Sequence, residues 1–258
     1  MKTRKTFFLF FAFLLLGLVP ISAMGQSLPH TFSANTAAKA SEVNANFTYL
    51  LERFGTRKTT VNCYSGESIT TALQNYNHIV ISGVCTENLN LDATTFTHRL
   101  VILEGSSSSS DGISASDTSE PVIKICCGAI TLKASKLKLT GGKHGIIAFV
   151  GPNIILENLL VENNTSTGIK IRASVGVVKD STIQNNGSHA IQVDFSGAAG
   201  IEGNTISGHT SGSSIKITRG ASADIYKNTI TNGKSAGISV DRGSSAQIGQ
   251  DPDSGVSQ

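Results

Sequence analysis

Short runs of alternating apolar and polar residues repeat at a nearly constant interval along the second half of the chain. Four copies of one phrase, such as IEGNTI, begin at Ile155, Val178, Ile201 and Ile225, at steps of 23, 23 and 24 residues. A second phrase begins at Gly145 and recurs at steps of 23, 22, 24 and 23 residues. Each unit holds two runs with the alternation of β-strands, separated by Gly, Asn and Ser, and lacks a long amphipathic helix. This period predicts a solenoid of stacked parallel strands.

Stacking places equivalent residues of successive units above one another in columns, about 4.8 Å apart. Three columns are apolar and are predicted to fill the core: Ile146/Ile169/Ile191/Ile215/Ile238, Ala148/Ile171/Val193/Ile217/Val240 and Leu160/Ile183/Ile206/Ile230. A fourth column contains Asn158, Ser181, Asn204 and Asn228. An Asn at a bend can satisfy backbone groups and hydrogen-bond to the residues above and below it, so we predict a structural role for this column.

The pattern resembles the right-handed parallel β-helix, or pectin lyase-like, proteins that bacteria secrete. The resemblance covers roughly Thr60 to Gly249. It implies an all-β fold, a right-handed parallel β-helix solenoid over residues 59–250. It also implies a short helix at about Ser68–Tyr76 that caps the open end of the coil. One apolar face of that helix is expected to contain Ile69, Ala72, Leu73 and Tyr76.

The first 25 residues have the pattern of a signal peptide. Three basic residues precede the apolar run Phe7–Ile21, and the small residues Ala23 and Gly25 form a cleavage pattern. We therefore expect an exported protein, located in the periplasm, at the cell surface or outside the cell. After cleavage we expect no stable membrane span.

The two ends of the remaining chain have their own predictions. Residues 26–58 are predicted to be an N-terminal helical module, with a helix over Ser41–Phe54 that begins at a capping serine. This helix packs on its own β-helix or, as the alternative, joins three chains in a homotrimer. Residues 251–258 are interpreted as a tail or a truncated coil. We expect either that the chain is a truncated form of a longer solenoid or that another chain covers the open end.

Charge and cysteine content limit the possible partners. Three of the 21 basic residues lie within residues 1–25, which leaves 18 basic and 18 acidic residues, so nucleic acid is not an expected partner. Cys63 and Cys85, 22 positions apart, are predicted to form a disulfide worth about 3 kcal/mol. The adjacent Cys126 and Cys127 could remain thiols, pair with each other or pair elsewhere. No cysteine spacing indicates a zinc site, and we expect neither metal nor cofactor.

Candidate functional residues come from the columns that point away from the core. Arg172 and Asp194 fall on neighbouring coils, and Asp241 lies two coils above Asp194, at about 10 Å. One interpretation is an acid pair with cationic helpers, which would act on a uronic-acid sugar. The other is an ordinary solvated surface with a weak ion pair. A predicted glycan-binding face contains Lys170, Arg172, Lys216 and Arg219.

The predicted function is binding of an extracellular or cell-envelope polysaccharide, or of another surface partner, by an exported β-helix without a catalytic site. The alternative is a carbohydrate-active enzyme, a lyase, hydrolase or epimerase, that acts on an anionic glycan. The resemblance would imply acidic calcium ligands for a pectate lyase, or the Asn-Thr-Asp, Asp-Asp and Gly-His-Gly segments of a polygalacturonase. The chain contains none of these patterns, so we favour binding.

Overall fold

The computed structural model describes residues 56–249. The predicted signal peptide, the helix at Ser41–Phe54 and the tail at residues 251–258 lie outside the described residues. Residues 56–249 form one compact unit with its own internal contacts. No helix within this range is long and apolar enough to cross a membrane.

The described chain winds through three parallel sheets. Each coil from β2 to β22 contributes one strand to each sheet, whereas β1 and β23 belong to the first sheet alone in their coils. The first sheet contains β1 (Lys58–Asn62), β2 (His78–Ser82), β5 (Leu100–Gly105), β8 (Thr131–Ser135), β11 (Asn153–Glu157), β14 (Val175–Lys179), β17 (Ala198–Glu202), β20 (Ser222–Tyr226) and β23 (Ser245–Ile248). The second sheet contains β3 (Val84–Thr86), β6 (Gly112–Ser114), β9 (Lys138–Thr140), β12 (Leu160–Glu162), β15 (Thr182–Gln184), β18 (Thr205–Ser207) and β21 (Thr229–Thr231). The third sheet contains β4 (Leu89–Asp92), β7 (Ile123–Cys126), β10 (Ile146–Phe149), β13 (Ile169–Arg172), β16 (Ile191–Asp194), β19 (Ile215–Ile217) and β22 (Ile238–Val240). The predicted all-β solenoid is therefore confirmed.

Two of the predicted apolar columns are confirmed by the strand register. Ile146 pairs with Ile169, which continues the column through the third sheet to Ile238. The neighbouring column from Ala148 to Val240 has the same register. Their side chains are buried in every coil except the last, where Ile238 is half-buried and Val240 is exposed. Because alternate residues point inward, the core is a continuous stack of aliphatic side chains between the sheets.

The predicted alignment was wrong by one residue in the coil that begins at β11. Leu156, rather than Ile155, pairs with Val178, so this step spans 22 residues. Consequently Val161, rather than Leu160, lies in the buried column with Ile183. Asn158 falls outside the Asn column for the same reason. The apolar run in this coil contains neighbouring apolar pairs, so either register would give an apolar column, and only the burial of Leu156 and Val161 distinguishes them.

The corrected column contains Leu159, Ser181, Asn204 and Asn228 and forms a hydrogen-bonded ladder in its upper coils. The side chain of Asn204 donates to Asn228 Oδ1 at 2.9 Å and to the carbonyl of Val178 at 2.9 Å. Its own Oδ1 accepts from the backbone N–H of Ser181 at 3.0 Å. Each buried amide therefore satisfies backbone groups that the bend removes from the strand ladder.

The N-terminal end of the solenoid is closed by helix α1 (Ile69–Ala72), followed by a turn. Ser68 caps the helix, and the Glu87 carboxylate accepts hydrogen bonds from the N–H groups of Ile69 and Thr70 at 2.7 and 3.0 Å. Ile69 and Leu73 are buried against the first coils. The predicted Cys63–Cys85 disulfide is present and joins the 3-10 helix Cys63–Ser65, next to α1, to β3. It links residues that are 22 positions apart and so reduces the conformational entropy of the unfolded chain.

The Asn ladder can be tested by Asn204→Ala. This change leaves the Ser181 N–H without its partner in a buried bend and removes the side-chain bonds to the Val178 carbonyl and Asn228, so we expect the free energy of unfolding to fall by about 2 kcal/mol. Chemical denaturation of the full chain measures it. Asn158→Gly is the matched control, because Asn158 is exposed and has a φ of 54°, which Gly adopts without strain. A loss of similar size at Asn158 would contradict the corrected register.

Candidate functional site

One column on the outside of the third sheet contains most of the candidate residues. Phe149, Arg172 and Asp194 occupy equivalent positions at the ends of β10, β13 and β16. The turns that follow these strands lead directly into the first sheet, as do the turns after β19 and β22. The structure thus places Arg172 next to Asp194 on neighbouring coils and places Asp241 two coils above Asp194.

Asp194 is buried, although its strand position points away from the core. Its side chain is 1% exposed, and Oδ2 lies 3.4 Å from Arg219 Nη1 and 3.3 Å from Gln192 Nε2. Oδ1 has no hydrogen-bond partner. Burial raises the pKa of Asp194, while the charges of Lys170, Arg172 and Arg219 oppose this rise. A solvated carboxylate at this position was therefore the wrong expectation.

The ring of Phe195 contacts both arginines that lie near Asp194. Both guanidinium groups lie against this ring, with Arg172 Cζ at 4.0 Å and Arg219 Cζ at 4.7 Å from the ring centroid. Phe195 and Ser196 both have left-handed backbone conformations, with φ of 52° and 61°, which turn the ring outward. Stacking on an aromatic face holds guanidinium groups while leaving their edges able to donate hydrogen bonds. We name Lys170, Arg172, Asp194, Phe195 and Arg219 the cationic turn.

The ion pair predicted between Arg172 and Asp194 is instead made by Arg219. The alternation that placed Arg172 beside Asp194 says nothing about the turn residues, so Phe195 and the direction of Arg219 were not predicted. A phenylalanine followed by Ser-Gly in a turn is the only sequence signal that could have indicated it. Aromatic residues in such turns are exposed unless something packs on them.

Asp241 and Lys216 form a separate ion pair. Lys216 Nζ lies 2.5 Å from Asp241 Oδ2, and Thr218 Oγ1 donates to Asp241 Oδ1. These hydrogen bonds lower the pKa of Asp241, with Lys216 contributing most. Asp194 and Asp241 therefore have different cation partners and opposite pKa shifts. The charge of Lys216 is paired with Asp241. The other three residues of the predicted glycan-binding face, Lys170, Arg172 and Arg219, lie near Asp194.

Lys170 is the third cation of the cationic turn and is half-buried. Burial lowers its pKa, and this effect is only partly opposed by the negative charge of Asp194. Lys170 and Asp194 therefore have pKa values displaced toward each other. Such displaced pairs are more frequent at functional sites than elsewhere in proteins.

A groove of about 530 Å³ lies on the outer face of the first sheet, beside the cationic turn. It crosses β14, β17, β20 and β23, and its lining includes small residues such as Ala198 and Gly200 together with the exposed carboxylate of Asp224. The inward positions of the same strands are also small. A Cβ on Gly176 would lie 2.7 Å from Ile171 Cδ1, so the first sheet approaches the third sheet too closely for a side chain there. The column Gly176/Ala199/Ala223/Ala246 is thus the sequence signal for this groove.

The cationic turn and the groove are joined by the chain itself. Arg172, Phe195 and Arg219 each lie three residues before the first residue of a groove strand, namely β14, β17 and β20. At the far ends of these strands, Lys179 Nζ lies 3.3 Å from Glu202 Oε2. The Tyr226 hydroxyl also contacts Glu202 Oε2, at 3.1 Å. The groove therefore has cations along one long edge, a neutralised acid along the other and the exposed Asp224 carboxylate in its lining.

Comparison with protein families identifies the class to which this architecture belongs. A family model described as a right handed beta helix region matches residues 125–251. The protein is a right-handed parallel β-helix, as the parallel coils and this match together establish. Searches among curated proteins and among solved structures gave no match.

Asp194→Asn tests the electrostatic state of the site. Burial raises the folded pKa of Asp194 above its value in the unfolded chain, so its ionised form opposes folding at about pH 7. Asn resembles the protonated acid, and we expect a higher Tm for the variant at neutral pH. The difference should shrink as pH falls through the folded pKa and vanish below about pH 3.8.

Asp241→Asn is the control for this measurement. The pKa of Asp241 is lowered, so its ionised form supports folding, and its loss should lower Tm at neutral pH. Thermal unfolding across the acid range measures both variants. A lower Tm for Asp194→Asn at neutral pH would mean that the charge of Asp194 stabilises the fold.

Proposed function

We propose that the protein binds an anionic polysaccharide, with the chain lying in the groove and its carboxylates facing the cationic turn. The β-helix fold itself supports a carbohydrate-related or surface protein in general. The observation that carries the proposal is the contact of both Arg172 and Arg219 with the ring of Phe195 at the edge of the groove. The proposal includes an extracellular or cell-envelope location, which rests on the signal-peptide pattern of residues 1–25.

The arginines are suited to carboxylate recognition. Arg172 is exposed, and the Arg219 side chain is 41% exposed although one of its nitrogens contacts Asp194. Planar guanidinium groups bind carboxylates with two parallel hydrogen bonds, and their fixed position reduces the entropy lost on binding. Phe195 and Asp194 thus orient the cations before any ligand arrives.

The groove is suited to a polymer rather than to a monosaccharide. It crosses four strands of one sheet, which at about 4.8 Å per strand gives a length of about 14 Å along the solenoid axis. Most of its lining is Gly, Ala and Ser, which leaves room for sugar rings and offers backbone and hydroxyl groups for hydrogen bonds, while Asp224 favours a position of the ligand carboxylates nearer to the cationic turn. A ligand in this groove meets an equivalent turn at every coil.

The double variant Arg172→Ala/Arg219→Ala tests the proposal. We expect its affinity for polygalacturonate or alginate to fall by about tenfold or more, because two charge-assisted contacts are lost. Isothermal titration calorimetry measures the affinity, which in the unaltered protein should also weaken as salt increases. Lys133→Ala/Lys234→Ala removes two exposed charges outside the cationic turn and should bind nearly as the parent does.

Gly200→Leu tests the groove in the same titration. A Cβ at Gly200 has its nearest neighbour, Val177 Cγ2, at 3.9 Å, so a side chain there fits and projects into the groove. We expect Gly200→Leu to weaken binding without lowering Tm. Equal affinity of all the variants for both polymers would reject the proposed site.

Catalysis on an anionic glycan is the second candidate function, and the displaced pKa values of Asp194 and Lys170 favour it. The side chain of Asp194 is nearly inaccessible, however, and a general acid must reach the scissile bond. We therefore expect no reducing ends and no unsaturated products from pectate, alginate or hyaluronan. Turnover that Asp194→Asn abolishes, while Asp241→Asn retains it, would assign catalysis to Asp194.

A further inference from the structure

Cys126 and Cys127 form a disulfide between adjacent residues at the end of β7. Cys126 is buried, whereas Cys127 is exposed and has a φ of 69°, in the left-handed region. In the sheet register Cys126 lies between Asp92 of the preceding coil and Phe149 of the following coil. The pair thus occupies the same outward column as Arg172 and Asp194, but at a lower level of the solenoid.

This disulfide does not act as a covalent staple. A disulfide stabilises a fold mainly by closing a loop in the unfolded chain, and neighbouring residues enclose no loop. Cys63–Cys85, by contrast, closes a separation of 22 residues. Exposed disulfides are the ones that are most readily reduced and serve regulatory or catalytic purposes. The adjacent pair therefore calls for a role other than stability.

Asp92 adds a third ligand atom to the two sulfurs. The ligand atoms of Asp92, Cys126 and Cys127 all lie within 4.8 Å of one another, and the described residues contain no second group of this kind. Asp92 Oδ1 accepts hydrogen bonds from the N–H and hydroxyl of Thr94, at 2.8 and 2.7 Å. These bonds fix the carboxylate and leave Oδ2 free of any hydrogen bond from the residues at positions 56–249.

We propose that reduction of the Cys126–Cys127 disulfide opens a binding site for one thiophilic divalent cation, such as Zn²⁺ or Cd²⁺, held by both Sγ atoms and the Asp92 carboxylate. Thiolate ligands favour such ions over Ca²⁺ and Mg²⁺. Ligand atoms of a tetrahedral zinc site lie about 3.7 Å apart, so small side-chain rotations bring these three into place. The fourth position faces the side on which Cys127 is exposed and remains open to water or a ligand.

The reaction balances with a dithiol reductant. The reductant gives two electrons and two protons to the S–S bond, which becomes two thiols, and is itself oxidised to a disulfide. Binding of the cation then releases the two thiol protons as two metal–sulfur bonds form. In the reverse direction a disulfide oxidant accepts two electrons from the metal-bound dithiolate and is reduced to two thiols, the S–S bond forms again and the cation is released, so the site responds to redox conditions.

Cadmium binding to the full chain, before and after mild reduction with dithiothreitol, tests the site. Mass spectrometry after alkylation should find Cys126 and Cys127 modified at lower reductant concentrations than Cys63 and Cys85. The reduced protein should then bind about one Cd²⁺ per chain, seen by calorimetry and by the ultraviolet absorption of cadmium–thiolate bonds, and the oxidised protein should bind none.

Two aspartate variants provide the matched comparison. Asp92→Asn should weaken binding of Cd²⁺ to the reduced protein about tenfold or more. Asp117→Asn is the control, because Asp117 Oδ1 accepts the same two kinds of hydrogen bond, from Ser119, at a site without cysteines. The double variant Cys126→Ser/Cys127→Ser should bind no Cd²⁺. Binding by the oxidised protein, failure of the reduced protein to bind, or equal effects of the two aspartate variants would overturn the proposal.

Discussion

Parallel stacking of the coils in register is the constraint on which the rest of the structure depends. Every strand hydrogen-bonds to its equivalents about 4.8 Å above and below, so the nearest neighbours of a side chain are its own counterparts on other coils. Apolar residues then form a continuous core, and amides form ladders such as that of Asn204 and Asn228. The same constraint builds the cationic turn, because Arg172, Phe195 and Arg219 come from three successive coils.

Two buried acids illustrate how the solenoid separates architecture from a candidate site. Burial acts to raise the pKa of Asp111, but hydrogen bonds from Ser106, Gly83 and Ser107 lower it to about 2. Asp194 has fewer donors, one oxygen without a partner and a raised pKa. A fully satisfied carboxylate stabilises the loop that surrounds it, whereas a carboxylate kept partly unsatisfied costs stability and is retained where a function needs it.

Most of the fold could be predicted because inward positions repeat with one chemical character, as the column from Ile146 to Ile238 does. The register at Asn158 could not, since the chain offers two apolar phases and the choice depends on packing. Only part of the candidate site could be predicted from the sequence, for a similar reason. Alternation places Asp194 and Arg172 on one column, but the burial of Asp194 depends on the left-handed turn at Phe195, which no periodicity encodes.

The constraint that builds the site also explains why an aromatic ring and an acid belong to it. Equivalent positions on neighbouring coils are so close that stacked cations would repel each other strongly in a partly buried turn. Both guanidinium groups contact the ring of Phe195, whose face is negative, and Asp194 supplies an opposite charge at 3.4 Å from Arg219 Nη1. Three cations can therefore be concentrated beside the groove without unfolding the turn. Asp194 neutralises only part of the positive charge of the cationic turn. An anionic polymer along the solenoid axis would neutralise the rest.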